Sequence, residues 1–208
     1  MTEHLELADY RRRVFAIYDA MRRDHRADPL RLVTFRSRKD RLFAEHPQSP
    51  IAADERRDFR GLAYWRHVPE LRLSAVLEPD PAARGVTLPR SSAGGKLTFQ
   101  RIGWVGFEVL GSPCRLAVYW LDDYAGGIFI PFGDATNGSV TYGGGRYLWD
   151  SAKGADLGSS GDTLTLDFNY AYHPSCTYDP RWSCPLTPPE NRLSVPIEAG
   201  ERLERVTE

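Results

Sequence analysis

The residues best equipped for chemistry fall between positions 134 and 191. Asp134, Thr136, Tyr142, Arg146 and Tyr147 come first; Asp167, Asn169, Tyr170, Tyr172, His173, Cys176, Tyr178, Trp182, Cys184 and Asn191 follow. Three chemistries fit these types and spacings. In the first, Arg146, directly after the glycine turn Gly143–Gly145, meets a carboxylate or phosphate with its two-pronged guanidinium while Tyr142, Tyr172 and Asn169 add hydrogen bonds. The competing reading is an internal ion pair of Arg146 with Asp134 or Asp167 that orders the end of a sheet. The glycine turn lacks the lysine and following hydroxyl of a nucleotide-phosphate loop.

In the second chemistry, Cys176 and Cys184 form a redox couple or a disulfide closing a short loop, worth about 2–3 kcal/mol. The alternative is two small apolar side chains buried in that loop. A nucleophilic cysteine here needs a base or cation, and Arg146 and His173 are the candidates. The third chemistry is a metal site: His173, Cys176 and Cys184 read H-x2-C-x7-C, ligand types that Zn²⁺ accepts, at a spacing outside the usual zinc signatures. The predicted ligand-binding set is therefore Asp134, Thr136, Tyr142, Arg146, Tyr147, Asp167, Asn169, Tyr172, Cys176, Cys184 and Asn191, with His173, Cys176 and Cys184 as the metal alternative. No catalytic residue and no cofactor can be named from these residues.

Four of these segments occur in a recognisable order. They are Phe132-Gly133-Asp134-Ala135-Thr136; Gly145-Arg146-Tyr147-Leu148; Asp167-Phe168-Asn169-Tyr170-Ala171-Tyr172; and Cys184-Pro185 through Pro189-Glu190-Asn191-Arg192-Leu193, with Ala199-Gly200-Glu201 beyond. Together with Ser49-Pro50 and Phe59-Arg60-Gly61-Leu62 they resemble domain-of-unknown-function family 1684 over most of the chain. The resemblance implies a bacterial protein and a shared fold, and carries no established activity. Cys176 and Cys184 match the family pattern, in which the position of His173 is usually asparagine.

The elements that must position these residues are legible from periodicity. Leu7, Tyr10, Val14, Ile17, Tyr18 and Met21 recur at three- and four-residue steps, predicting an amphipathic helix over residues 3–23. Asp28-Pro29 suits an N-cap and first helical position, and Leu32, Phe35, Leu42 and Phe43 supply the apolar face of a second helix that Pro47 and Pro50 end. Alternation at Leu71, Leu73, Ala75 and Leu77 predicts a strand that breaks at Pro79–Pro81 and resumes at Val86 and Leu88. Residues 96–110, 115–121 and 127–132 predict an antiparallel meander with turns at Gly111-Ser112-Pro113 and Ala125-Gly126-Gly127. A half-buried strand follows over 163–168, and the prolines of the 173–191 loop defer regular structure until Arg192–Ile197.

The predicted fold is α+β, mainly β: an antiparallel barrel or sandwich of about seven or eight strands with two N-terminal helices. The expected division is an N-terminal helical region, 1–68, packed on the sheet, and a β-rich domain, 69–208. With 208 residues, 41% of them hydrophobic, the chain can bury one sizeable core. Lys+Arg of 27 against Asp+Glu of 28 gives a net charge of -1, which draws it toward neither nucleic acid nor acidic membranes. The basic runs at Arg11–Arg13 and Arg22-Arg23 are interleaved with acids and read as solvated helix faces, though they leave room for a protein partner. No apolar run reaches the roughly 20 residues of a membrane span, Met1 to Met21 is too charged for a signal peptide, and three cysteines make no disulfide scaffold, so the cytoplasm is expected. The functional expectation is a small-molecule-binding domain, in one version an enzyme acting on a small anionic substrate; its rival is a non-catalytic structural or protein-interaction module.

Overall fold

The computed structural model describes residues 2–23, 28–92, 97–122 and 125–204. Helix α1 spans Glu3–Arg22, with Glu3 and Glu6 in its first turn and Arg22 in its last, the signs its dipole favours. Arg13 pairs along the helix with Asp9 at 2.8 Å and Arg23, its C-cap, with Asp19 at 2.8 Å, while Arg22 reaches out to Asp156 at 3.4 Å. Helix α2 spans Pro29–Glu45; the Asp28 carboxylate caps it by accepting from Leu30 N–H at 2.9 Å. The helices meet through Tyr18 and Phe35, edge-to-face at 5.0 Å, and Phe35 continues onto Tyr170 at 4.7 Å. No helix among the described residues is long and apolar enough to cross a membrane.

Among the described residues seven strands form one antiparallel sheet: β1 Arg72–Leu88, β2 Leu97–Val109, β3 Ser112–Leu121, β4 Ile128–Phe132, β5 Arg146–Asp150, β6 Ser159–Ser160 and β7 Thr163–Asp167. Their order is β5-β4-β3-β2-β1-β7-β6, and the sheet curls into a half-barrel. Alternate residues serve opposite faces. Val105, Leu116, Val118, Ile130 and Phe132 join Leu166 and Phe168 in the main core, completed by Ile197 and Ala199 of the C-terminal segment. Phe99, Ala117, Tyr119, Phe129 and Tyr147 form a second cluster on the other side. Tyr172 touches this second cluster and the one that α1 and α2 build with Ala155 and Leu157.

The predicted architecture holds, and three local expectations are corrected. First, β1 runs unbroken through Pro79-Asp80-Pro81, with a bulge between Pro79 and Arg84. β7 pairs only with Arg72–Val76, so beyond Val76 one flank of β1 carries no strand and its prolines forfeit no ladder bond there. Second, Ser112 and Pro113 belong to β3. The turn is only Leu110-Gly111, both at positive φ (52° and 75°), as a two-residue hairpin with the right twist demands. Third, residues 192–197 form no strand: Gly133 bridges Arg192 in parallel, Ala135 N–H reaches the Val195 carbonyl at 3.3 Å, and the Ile197 carbonyl is taken by the Arg146 guanidinium. The expected strand start at Lys96 lies outside the described residues.

Candidate functional site

Strand β5 places Arg146, 0% exposed, at the centre of the molecule. Gly145 before it adopts φ 95°, a conformation that favours glycine, and turns the chain into the strand. The guanidinium donates to Asp134 Oδ2 at 2.8 Å and to the carbonyls of Ile197, Ala199 and Glu201 at 2.7, 2.5 and 3.0 Å. Asp134 in turn accepts from Thr136 N–H and Oγ1 at 2.8 and 2.6 Å. One arginine therefore holds residues 197–201, a segment that otherwise meets the fold through an isolated antiparallel bridge of Glu201 with Tyr64 and backbone hydrogen bonds with Trp65 and Ala171. Burial pulls its pKa down and Asp134 pushes it back up.

The last residue so held, Glu201, is 1% exposed and lies at a second junction. Its Oε1 accepts from Lys39 Nζ of α2 at 2.5 Å; its Oε2 accepts from His173 N–H at 2.8 Å and Tyr178 Oη–H at 3.0 Å. The Lys39 ammonium also lies over the Tyr172 and Phe43 rings, 4.5 and 5.4 Å from their centroids. Lys39 was within reach of sequence reasoning. It falls in step with Leu32, Phe35 and Leu42, so a charge interrupts the apolar stripe of α2, and such a charge has a buried partner or a ligand.

Beside this junction, α1, α2, the segment 153–155 and the proline-rich loop enclose a cavity of about 240 Å³. Leu7, Tyr10, Val14, Ile17, Phe43 and Tyr172 give it an apolar wall. Its ionic lining residues are Arg11, Lys39 and Lys153, with no carboxylate among them. Four polar atoms on lining residues are buried without a hydrogen-bond partner: Tyr18 Oη, His173 Nδ1, Trp182 Nε1 and Ser183 Oγ. His173 Nε2 accepts from Tyr142 N–H at 3.3 Å, which puts the ring proton on Nδ1, so all four atoms can donate. Nδ1 stands 3.8 Å from Glu201, too far for a hydrogen bond.

Burial pulls the His173 pKa down from 6.5 to about 4, against the raising effect of Glu201. A histidine lowered on folding stabilises the fold above its unfolded pKa. That stability, roughly 3 kcal/mol, is lost as pH falls from about 6.5 to 4, where the unfolded chain takes up the proton first. His173→Asn, whose carboxamide can still accept from Tyr142 N–H, should flatten that part of the profile. Urea titrations of both proteins at pH 7, 5.5 and 4.5 test this; equal slopes would assign the acid sensitivity elsewhere.

At the edge of the cavity Cys184, a buried lining residue, forms a thiol–thiol hydrogen bond with half-buried Cys176. Hydrogen bonds from Cys184, Ser91 and Tyr142 bring the Cys176 thiol down to about 6, against burial. The contact with Cys176 and burial push Cys184 up. Both are free thiols.

The family described as protein of unknown function (DUF1684) matches residues 57–202. The chain belongs to the DUF1684 family. It is similar to an uncharacterised protein of Haloarcula marismortui solved in solution by NMR: 35% identical, TM-score 0.62, covering 86% of this chain and 95% of that one. No curated protein matches it. The DUF1684 match begins after α2, so the helices that close the cavity precede the matched residues.

In this DUF1684 chain the eleven predicted site residues do not share one surface. Tyr172 and Cys184 line the cavity, and Cys176 with Tyr142 stands behind Cys184. Tyr147 donates to the Pro185 carbonyl at 2.5 Å and packs on Tyr172. Asp134, Thr136 and Arg146 form the buried network described above. Asp167 binds Arg72 at 3.0 Å and accepts from Asn169, whose carboxamide pairs with both backbone groups of Val68. Asn191 uses its carboxamide as a strand would, meeting Ala117 N–H and C=O and the Pro131 carbonyl. Among the described residues no three of His, Cys, Asp and Glu are grouped to hold a metal ion, so the trio His173, Cys176 and Cys184 is not assembled as a ligand set. Arg11, Tyr18, Lys39, Lys153, Trp182 and Ser183 of the cavity fall outside the predicted set.

Proposed function

We propose that the cavity between the helices and the proline-rich loop binds a small anionic molecule with an apolar body. The observation that carries this reading is a space whose charged lining residues are all basic and four of whose lining residues carry a buried donor with no protein partner. A buried donor left unpaired costs about 1–3 kcal/mol, so four of them favour an occupant rich in acceptor oxygens. A carboxylate or phosphate meets that demand, with Arg11 supplying charge; Lys39 and Lys153, paired with Glu201 at 2.5 Å and Asp150 at 3.0 Å, add further donors. The aromatic and aliphatic wall takes the remainder of the molecule. Tyr172 and Cys184 serve here as wall residues, while Arg146 acts from behind by securing the chain that carries Glu201. Three unbonded cysteines are in keeping with a reducing compartment, the cytoplasm.

Octanoate and phenyl phosphate are suitable probes, with octanol and phenol as uncharged counterparts. At ten times its dissociation constant an anionic probe should add about 1.4 kcal/mol, raising the melting temperature by about 3–5 °C and perturbing Trp182 fluorescence. Tyr18→Phe and Lys153→Gln should each weaken the anion about tenfold and leave the uncharged compound unaffected. Equal responses to charged and uncharged probes, or none to either, would overturn the assignment.

A further inference from the structure

Three polar groups meet one sulfur outside the anion site. Cys176 Sγ–H donates to Tyr142 Oη at 3.9 Å, and its hydrogen bonds with the Cys184 thiol and the Ser91 hydroxyl, which also donates to the Trp182 carbonyl at 3.3 Å, favour the thiolate. Ser91 and Cys184 are locked together: Ser91 N–H donates to the Cys184 carbonyl at 2.9 Å, and Cys184 N–H donates to Ser91 Oγ at 3.1 Å. The segments of Ser91 and Cys184 are thus held together where both side chains meet Cys176. Accessibility divides their roles, since Cys176 is half-buried and Cys184 buried. Cys114, the remaining cysteine, has only a 3.6 Å contact to the Ser112 carbonyl, and burial pushes its thiol up.

We propose that Cys176 and Cys184 form a hydroperoxide-reactive dithiol, with Cys176 the attacking sulfur and Cys184 the resolving one. The Cys176 thiolate attacks the terminal oxygen of the hydroperoxide. The O–O bond breaks, the leaving oxygen takes a proton and departs as water or alcohol, and Cys176 becomes a sulfenic acid. The Cys184 sulfur then attacks Cys176 Sγ, expelling hydroxide that leaves as water with the Cys184 proton. An S–S bond forms, two electrons have passed from the thiols to the peroxide, and atoms and charge balance. Tyr142 and Ser91 favour the first step by donating to the thiolate, and the position of Cys184 against Cys176 favours the second.

The test uses the full chain, hydrogen peroxide, and N-ethylmaleimide added after denaturation. The wild type should lose two hydrogens and then take up one maleimide, at Cys114. Cys184→Ser should stop at a sulfenic acid that dimedone traps on residue 176, and Cys176→Ser should give neither disulfide nor adduct. Cys176 should react about ten times faster than Cys114, following its larger thiolate fraction. Three maleimides after peroxide treatment, or a dimedone adduct first at Cys114, would overturn the proposal. Should either serine variant fail to fold, alkylation of the wild type by iodoacetamide, mapped by residue against pH, decides: a midpoint near 6 at Cys176 supports the proposal, and one near 8.5 sinks it.

Discussion

Replacing Arg146 with alanine is expected to lower the melting temperature by about 6–20 °C, the counterpart of roughly 3–5 kcal/mol for a chain of this size. The guanidinium is fully buried, and its loss strands the Asp134 carboxylate and the Ile197, Ala199 and Glu201 carbonyls in a place water does not reach. Lysine should recover little, since a single ammonium cannot span acceptors arranged for a planar fork. Thermal melts followed by circular dichroism, with urea titrations for free energies, provide the measurement. A loss below about 1 kcal/mol would mean that the segment 197–201 is held by its apolar side chains and that the arginine network adds nothing net.

The second large effect is expected from Glu201→Ala. This change leaves the Lys39 ammonium, His173 N–H and Tyr178 hydroxyl without their common acceptor, again at roughly 3–5 kcal/mol. Removing both charges is a different matter: Lys39→Met combined with Glu201→Leu buries no unpaired ion. The double variant should be closer to wild type than Glu201→Ala, with a coupling energy of about 1–3 kcal/mol in the four-protein cycle. Strict additivity would show that the two residues are stabilised separately, Lys39 by the rings of Tyr172 and Phe43 and Glu201 by its two other donors. Because Lys39 lines the cavity, the double variant should also lose affinity for anionic probes while remaining folded.

The helices and most strands could be read from the chain because their signals are local. Asp28-Pro29 caps α2, and the alternation in β7 is visible within five residues. The unbroken course of β1 through Pro79 and Pro81 was not legible, since prolines end a strand only where the ladder needs their N–H, and which flank stays unpaired depends on β7 some 90 residues later. The irregular course of 192–197 was hidden for a similar reason: its Ile197 carbonyl is taken by a side chain 51 residues back, and its Val195 carbonyl by the N–H of the distant Ala135. The candidate site was legible only in part. Polar residues clustered in sequence drew attention to Arg146, Asp167 and Asn191, whose hydrogen bonds go to other groups of the protein. The cavity draws instead on residues spread from Leu7 to Cys184, most of them unremarkable alone. Lys39 was the exception, a charge on an apolar stripe whose partner is 162 residues away.

That separation bears on how the chain reaches its folded state. The carboxylate that neutralises Lys39 follows it by 162 residues, and the carbonyls that occupy Arg146 also lie downstream of it. Until those residues arrive, a closed core would carry Lys39 uncompensated and Arg146, though paired with Asp134, short of its carbonyl partners, so the docking of 197–201 has to follow their synthesis. Folding should therefore be slow for the size of the chain, with a late phase set by loop closure over 50 to 160 residues. The early helices must wait with their apolar faces exposed, which makes this interval the one in which the nascent chain most needs protection from aggregation.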